Sequence, residues 1–105
     1  MKRSVVILPL ALSDLQEIGL YLRERSQEAA TRFSHAVDRT LKYLLQSPES
    51  GEKRNYSNPE YTDMRIWRVS GFPKYLIFYR VDEMELAVVR IIHGARDYDT
   101  MFNEE

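Results

Sequence analysis

The sequence predicts an α+β domain: an N-terminal strand, an antiparallel helical hairpin packed on one face of an antiparallel sheet, and a three-strand meander at the C-terminus. Three observations lead there. Apolar residues recur at helical spacing, about 3.6 residues per turn, from Leu12 to Leu45, and at a spacing of about two from Met64 to Ile92. The connections between the C-terminal strands run to about four residues, which suits antiparallel hairpins. The 105 residues, 44% hydrophobic and 30% charged, have the mix of an ordinary globular domain with one core.

Each element has a local cause. Val5-Val6-Ile7-Leu8 is rich in β-branched residues and stops at Pro9, whose missing N–H ends a ladder, so a strand is expected over 4–9. Ser13 with Gln16 matches a capping box, and Leu12, Leu15, Ile18, Gly19 and Leu22 form one face of a helix ending near Arg25. Gln16, Glu17, Arg23 and Glu24 lie on its other side. Ser26 caps a second helix with Glu28 in its first turn, where the helix dipole favours an acid. Its stripe is Ala29, Phe33, Ala36, Val37, Leu41, Leu44 and Leu45, and Pro48 and Gly51 close it. So short a link makes the two helices an antiparallel hairpin, with Gly19 allowing close approach. Residues 48–61 are polar, punctuated by Pro48, Gly51 and Pro59, and read as one long loop. Met64–Val69, Tyr75–Val81 and Leu86–Ile92 are then three strands, with turns at Ser70–Pro73 and Asp82–Glu85. No repeat or composition break divides the chain, so residues 1–105 read as a single domain.

Composition excludes several functions. Fifteen basic residues against sixteen acidic ones give a net charge of -1, which is not the uniformly basic surface of a generic nucleic-acid binder. No sequence-specific nucleic-acid contact by this chain alone is expected. Residues 1–96 balance at +3 and residues 97–105 at -4. This acidic tail is either a solvated end or a segment lying against a basic patch of its own domain or of a partner. There is no cysteine, hence no disulfide, thiolate metal site or cysteine nucleophile, and neither a cofactor nor a metal is expected. The apolar start is broken by Pro9 and ended by Ser13-Asp14, unlike a signal peptide, and no run of about eighteen apolar residues could span a bilayer. A cytoplasmic location without membrane contact is the expectation.

The residues with chemical potential lie in the second half. Arg65, Arg68, Arg80 and Arg90 sit on the strands and Arg96 just beyond. With helices on one sheet face, those pointing the other way meet on an open face, where guanidinium forks suit an anion or a partner's acids. The structural reading pairs them with Asp63, Asp82, Glu85 or Asp97. His93 ends the last strand and is the formal general-base candidate; His35, among Arg32, Ser34 and Asp38, reads as surface. No HExxH, phosphate-cradling loop or nucleophile elbow occurs. Tyr56, Tyr61, Trp67, Phe72, Tyr75, Phe78, Tyr79, Tyr98 and Phe102 exceed what one helical layer over three strands can bury, so some rings should face a partner.

These residues together resemble the ParE branch of the ParE/RelE superfamily of bacterial toxins. The likeness runs through Ala11-x-x-Asp14-Leu15-x-x-Ile18-x-x-Tyr21, Ala30-x-x-Phe33, Leu45-x-x-Pro48-x-x-Gly51 and Met64-Arg65, then through Tyr75 to Arg80 and Arg90 to Asp97. The resemblance implies the RelE-like fold and a type II toxin neutralised by a tightly bound, ParD-like antitoxin. It implies one of two activities, inhibition of DNA gyrase or ribosome-dependent mRNA cleavage. If the chain were a ribonuclease, Arg65, His93 and Arg96 would carry the chemistry. Net charge -1 fits a ribosomal RNA surface poorly, so the gyrase-directed reading without catalytic residues is preferred; a non-catalytic binding module with a toxin-like fold is a further alternative. On the preferred reading Arg65, Trp67 and Arg80 anchor the antitoxin, while Arg90, His93, Arg96, Tyr98 and Phe102 contact the target.

Overall fold

In a computed structural model describing residues 3–103, the chain runs β1 (Ser4–Ile7), α1 (Pro9–Arg25), α2 (Gln27–Gln46), β2 (Glu52–Arg54), β3 (Met64–Val69), β4 (Phe72–Val81), β5 (Glu85–His93) and α3 (Tyr98–Asn103). Three-ten turns occupy Pro48–Ser50 and Pro59–Tyr61. The sheet order is β1-β5-β4-β3-β2. The pairs among β2 to β5 are antiparallel, but β1 runs parallel to β5, with Val5 opposite Leu86 and Ile7 opposite Val88. The sheet is therefore mixed, which corrects the all-antiparallel expectation. Strands joined by a tight turn must run antiparallel; β1 meets β5 only after nearly the whole chain, so no turn sets its direction.

α1 starts at Pro9, four residues before the expected Ser13 cap; Leu8 is the N-cap and no side chain caps the helix. Proline is at home there, because its absent N–H has no intrahelical partner to lose and its φ is already helical. Pro9 thus ends β1 and begins α1, and Ser13 is an exposed residue inside the helix. Ser26 behaves as expected: its Oγ accepts the Ala29 N–H at 3.2 Å, while its own N–H closes α1 on the Leu22 carbonyl. α2 buries Phe33, Ala36, Val37, Thr40, Leu41 and Leu44. The Thr40 hydroxyl donates to the Ala36 carbonyl (2.7 Å) and accepts the Ser70 N–H (2.9 Å), tying α2 to the β3–β4 turn. Gly19 does not bring the helices together. A Cβ there would meet nothing within 4 Å, and the hairpin leaves a groove of ≈400 Å³ past Leu15, Gly19, Ala30 and Phe33.

The sheet is covered on both faces. Against α1 and α2 lie Val69, Ile77, Tyr79, Leu86, Val88 and Ile91. On the other face Met64, Phe78, Val89 and Ile92 are buried with Tyr56 and Phe102. Phe102 of α3 is the hub there, its ring 5.1, 4.6 and 4.8 Å from those of Tyr56, Tyr61 and Phe78. This corrects the open face, and it accounts for Tyr56, Phe78 and Phe102 among the aromatic rings. The polar stretch after α2 is not one loop: β2 adds an edge strand, and the following residues fold back over the sheet. Ser57 is fastened to Asn103 through its N–H and its hydroxyl (2.9 and 3.0 Å), and Asn55 Oδ1 takes the N–H of Asp63, which holds φ 54. The β3–β4 turn is only Ser70-Gly71, with Gly71 at φ 80, so β4 begins at Phe72, opposite Val69. At the next turn the Glu85 and Met84 N–H groups bind the Asp82 carboxylate and hold its pKa below the usual range. Among the described residues no helix is long and apolar enough to cross a membrane.

Candidate functional site

Where β1 stops at Ile7, the outer edge of β5 runs on without a strand beside it, and α1 supplies the missing partner. Asp14 Oδ2 accepts the Ile91 N–H at 3.0 Å and Arg90 Nε at 2.7 Å, while Oδ1 accepts Arg90 Nη2 at 2.9 Å. A register shift between Phe78 and Tyr79 leaves Val89 as an extra residue and lets Arg90 reach α1. The pair is nearly dry, with the Arg90 and Asp14 side chains 14% and 8% exposed, and the hydrogen bonds to Asp14 raise the guanidinium pKa further. Arg90 is therefore paired 76 residues away, not with Asp63, Asp82, Glu85 or Asp97. The readable signal was Asp14 itself, an acid in line with Ala11 and Ile18 on the buried face of a helix, where a charge requires a partner.

Beside this pair a cleft of ≈310 Å³ opens between α1 and the ends of β4 and β5, lined by Glu17, Ile18, Tyr21, Tyr75, His93 and Arg96 among others. His93 Nδ1 accepts the Ala95 N–H at 3.0 Å, and its ring stands edge-on to Tyr75 at 5.2 Å. With Nδ1 acting as acceptor, the neutral ring carries its proton on Nε2, which is then a donor and not a base. The Arg25 guanidinium lies 3.9 Å over the Tyr21 ring. Burial, then the neighbouring Tyr21, pushes the Tyr75 phenol up against the opposing pull of Arg25, so it remains a donor at neutral pH.

The far side of the sheet is built differently. β2 covers β3 only from Met64 to Ile66, leaving the outer edge of Trp67–Val69 without a strand partner over a groove of ≈640 Å³ that includes Arg54, Arg68 and Tyr98. Trp67 stacks on the half-exposed Tyr43 at 5.7 Å. Arg65 Nη1 donates to the carbonyls of Glu49 (3.0 Å) and Gly51 (2.8 Å). Tyr79, fully buried, donates to the Pro48 carbonyl (2.7 Å) and accepts the Gly51 N–H (3.0 Å), so the corner after α2 is pinned twice. In the tail, Asp97 caps α3 through Thr100, and Asp99 accepts the Tyr56 hydroxyl at 3.0 Å and lies 3.8 Å from Arg54. Burial and Asp99 together push the Tyr56 phenol well up. The described half of the acidic tail thus lies against its own domain, while Glu104 and Glu105 fall outside the described residues. Among the described residues no three histidines or acids gather as metal ligands would.

With this geometry in hand, comparison supplies the family. The family described as "ParE toxin of type II toxin-antitoxin system, parDE" matches residues 5–98. The chain belongs to the ParE toxin family. It is thereby a toxin component of a type II toxin–antitoxin system. A solved structure described as "Chromosomal ParDE TA system from P. aeruginosa" is similar, with TM-score 0.66 and 22% identity over 88% of this chain and 96% of that one, which shows the shared fold. No curated protein matches the sequence.

In this ParE toxin the residues singled out from sequence fall into separate places. Arg65 and Trp67 face the helices from β3, whereas Arg80 lies on the other face, donating to the Glu60 carbonyl at 2.8 Å. His93 and Arg96 line the α1 cleft. Arg90 is committed to Asp14, and Tyr98 packs on Phe78 across the sheet, rings 5.2 Å apart. Phe102 is 1% exposed, a core ring and not a surface one. Arg65 and His93 do not converge. Four residues along β4 and two strand spacings separate them, about 13 Å by about 10 Å, so their backbones lie roughly 16 Å apart.

Proposed function

We propose that this ParE toxin arrests growth in the cytoplasm by binding DNA gyrase, without chemistry of its own, and that a ParD-like antitoxin holds it inactive. The separation of Arg65 from His93 carries the reading. Scissile-phosphate chemistry needs a base and charge-stabilising groups around one reacting atom. Here the Arg65 guanidinium is occupied by the Glu49 and Gly51 carbonyls, and the His93 ring offers a donor.

The surfaces that remain suit protein partners. An extended antitoxin segment fits the free edge of β3, where backbone groups await a partner and Trp67 and Tyr43 offer a flat aromatic face. Arg54, whose Nε is buried with no hydrogen-bond partner among the described residues, adds a positive charge to the same groove. His93, Arg96 and Tyr98 are the proposed target contacts. The test is purified toxin in gyrase supercoiling and cleavage-complex assays beside ribosome-dependent mRNA cleavage. Gyrase inhibition with intact mRNA is expected. Cleaved mRNA with gyrase untouched would establish the RelE-like ribonuclease instead, and neither effect would leave a binding module.

A further inference from the structure

We infer that the cleft between α1 and the ends of β4 and β5 is a carboxylate socket, which takes an acidic side chain of the toxin's polypeptide target together with an apolar neighbour. Four side chains with donors line it, those of Tyr21, Tyr75, His93 and Arg96. None of them has a hydrogen-bond acceptor among the described residues, in contrast to Arg65, Arg80 and Arg90, each of which is occupied. Several uncommitted donors gathered at one concave site suit an anion, which accepts from more than one of them at once.

The charges agree. Both oxygens of Asp14 are used by Arg90 and Ile91, so the one uncommitted acid in the lining is Glu17. Arg96 balances it within the lining, and the Arg25 guanidinium stacked on Tyr21 adds a positive charge beside it. The remainder of the lining is aliphatic, with Ile18, Ile91 and Ile92 beside the phenol rings. That mixture favours a polypeptide carboxylate over a phosphodiester. A nucleic-acid strand needs cations repeated along its path, whereas the exposed face of α1 leading away from the cleft presents Leu10, Glu17, Leu20 and Glu24. An acidic residue followed by an apolar one meets both the donors and that rim.

The identity of the target rests on the gyrase reading, so the test has two arms. In the first, wild-type toxin, Tyr75→Phe and Arg96→Gln are titrated into gyrase supercoiling assays, with antitoxin binding measured in parallel. Tyr75→Phe keeps the ring that packs on Phe33, and Arg96 is exposed, so both variants should fold. Half-inhibition should require about tenfold more of each variant, the scale of one charge-assisted hydrogen bond, with antitoxin binding unchanged. Inhibition equal to wild type would overturn the socket.

In the second arm a blocked Leu-Glu-Phe-Glu peptide, its glutamine counterpart and a short oligouridylate are titrated while the two histidine ring signals are followed by NMR. The acidic peptide should shift His93 saturably and leave His35, exposed on α2, unmoved; the glutamine peptide should bind about tenfold more weakly. A shift by the oligouridylate alone would give the site to nucleic acid, and no shift by any probe would abolish it. Toxin that ignores gyrase yet binds the acidic peptide would refute the gyrase reading and leave the socket standing.

Discussion

Replacing Asp14 with asparagine tests the contact that joins α1 to β5. The carboxylate accepts three hydrogen bonds, from Arg90 Nε, Arg90 Nη2 and the Ile91 N–H. Asparagine keeps the shape but has one oxygen, so its NH2 group must face at least one of these donors. The Arg90 guanidinium, 14% exposed, also loses its counter-charge. Removing one partner of a buried ion pair costs about 3–5 kcal/mol, and the residual exposure here argues for the lower figure, about 3. Against a total stability of about 5–15 kcal/mol that is a large share. In urea, with a slope of about 1.5 kcal/mol per molar, the midpoint should fall by about 2 M. The single tryptophan, Trp67, makes fluorescence a direct readout. Arg90→Met added to Asp14→Asn should recover part of the loss, because no orphan cation remains. A loss below about 1 kcal/mol, the scale of an exposed pair, would refute the reasoning, as would strict additivity of the two substitutions.

Two glycines should respond in opposite directions. Gly19→Ala adds a methyl group facing open space and should stabilise α1 by about 0.5–1 kcal/mol in the same titration. Gly51→Ala drives a Cβ into the Tyr79 hydroxyl; breaking that buried hydrogen-bonded corner should cost about 1–3 kcal/mol. Phe102→Ala empties the hub of the second core and should cost about 3–5 kcal/mol, so its toxicity should fall in step with folded protein on thermal melting. Tyr56, Tyr75 and Tyr79 are all pushed above the ordinary 10.0, chiefly by burial. Their native forms keep protons that the unfolded chain releases, so this contribution is complete below pH 10.0 and is lost as pH rises from there. Phenolate absorbance should show Tyr56, Tyr75 and Tyr79 ionising at higher pH in the folded protein than in the unfolded chain.

How much could be read locally varies element by element. α2 was legible from cap to stripe because Ser26 and Phe33 to Leu44 act through neighbours three or four residues away. β3 was legible by alternation, but the start of β4 was not: Phe72 and Pro73 look like turn residues and become strand only through pairing with Val69. The three residues of β2 have no pattern of their own and are a strand because β3 is beside them. The second core did leave a signal. Met64, Ile66, Leu76 and Phe78 are apolar at positions that alternate with Ile77 and Val69, so these strands carry apolar side chains on both faces. A sheet built that way has to be covered twice.

For the site the division is sharper. Composition and motif order carried the family, the helix hairpin over a sheet, and the absence of any cysteine chemistry, because these depend on which residues are present and on near-neighbour spacing. They also placed His93 and Arg96 among the candidates. The chain could not declare from spacing that Arg90 belongs to Asp14, that β1 lies parallel to β5, or that Phe102 is core. Those contacts join residues 76 or more positions apart, or a tail to a sheet face, and their energy appears only when the sheet closes and the two layers exclude water. Tertiary structure likewise set Arg65 and His93 apart, on strands whose separation no local pattern could state.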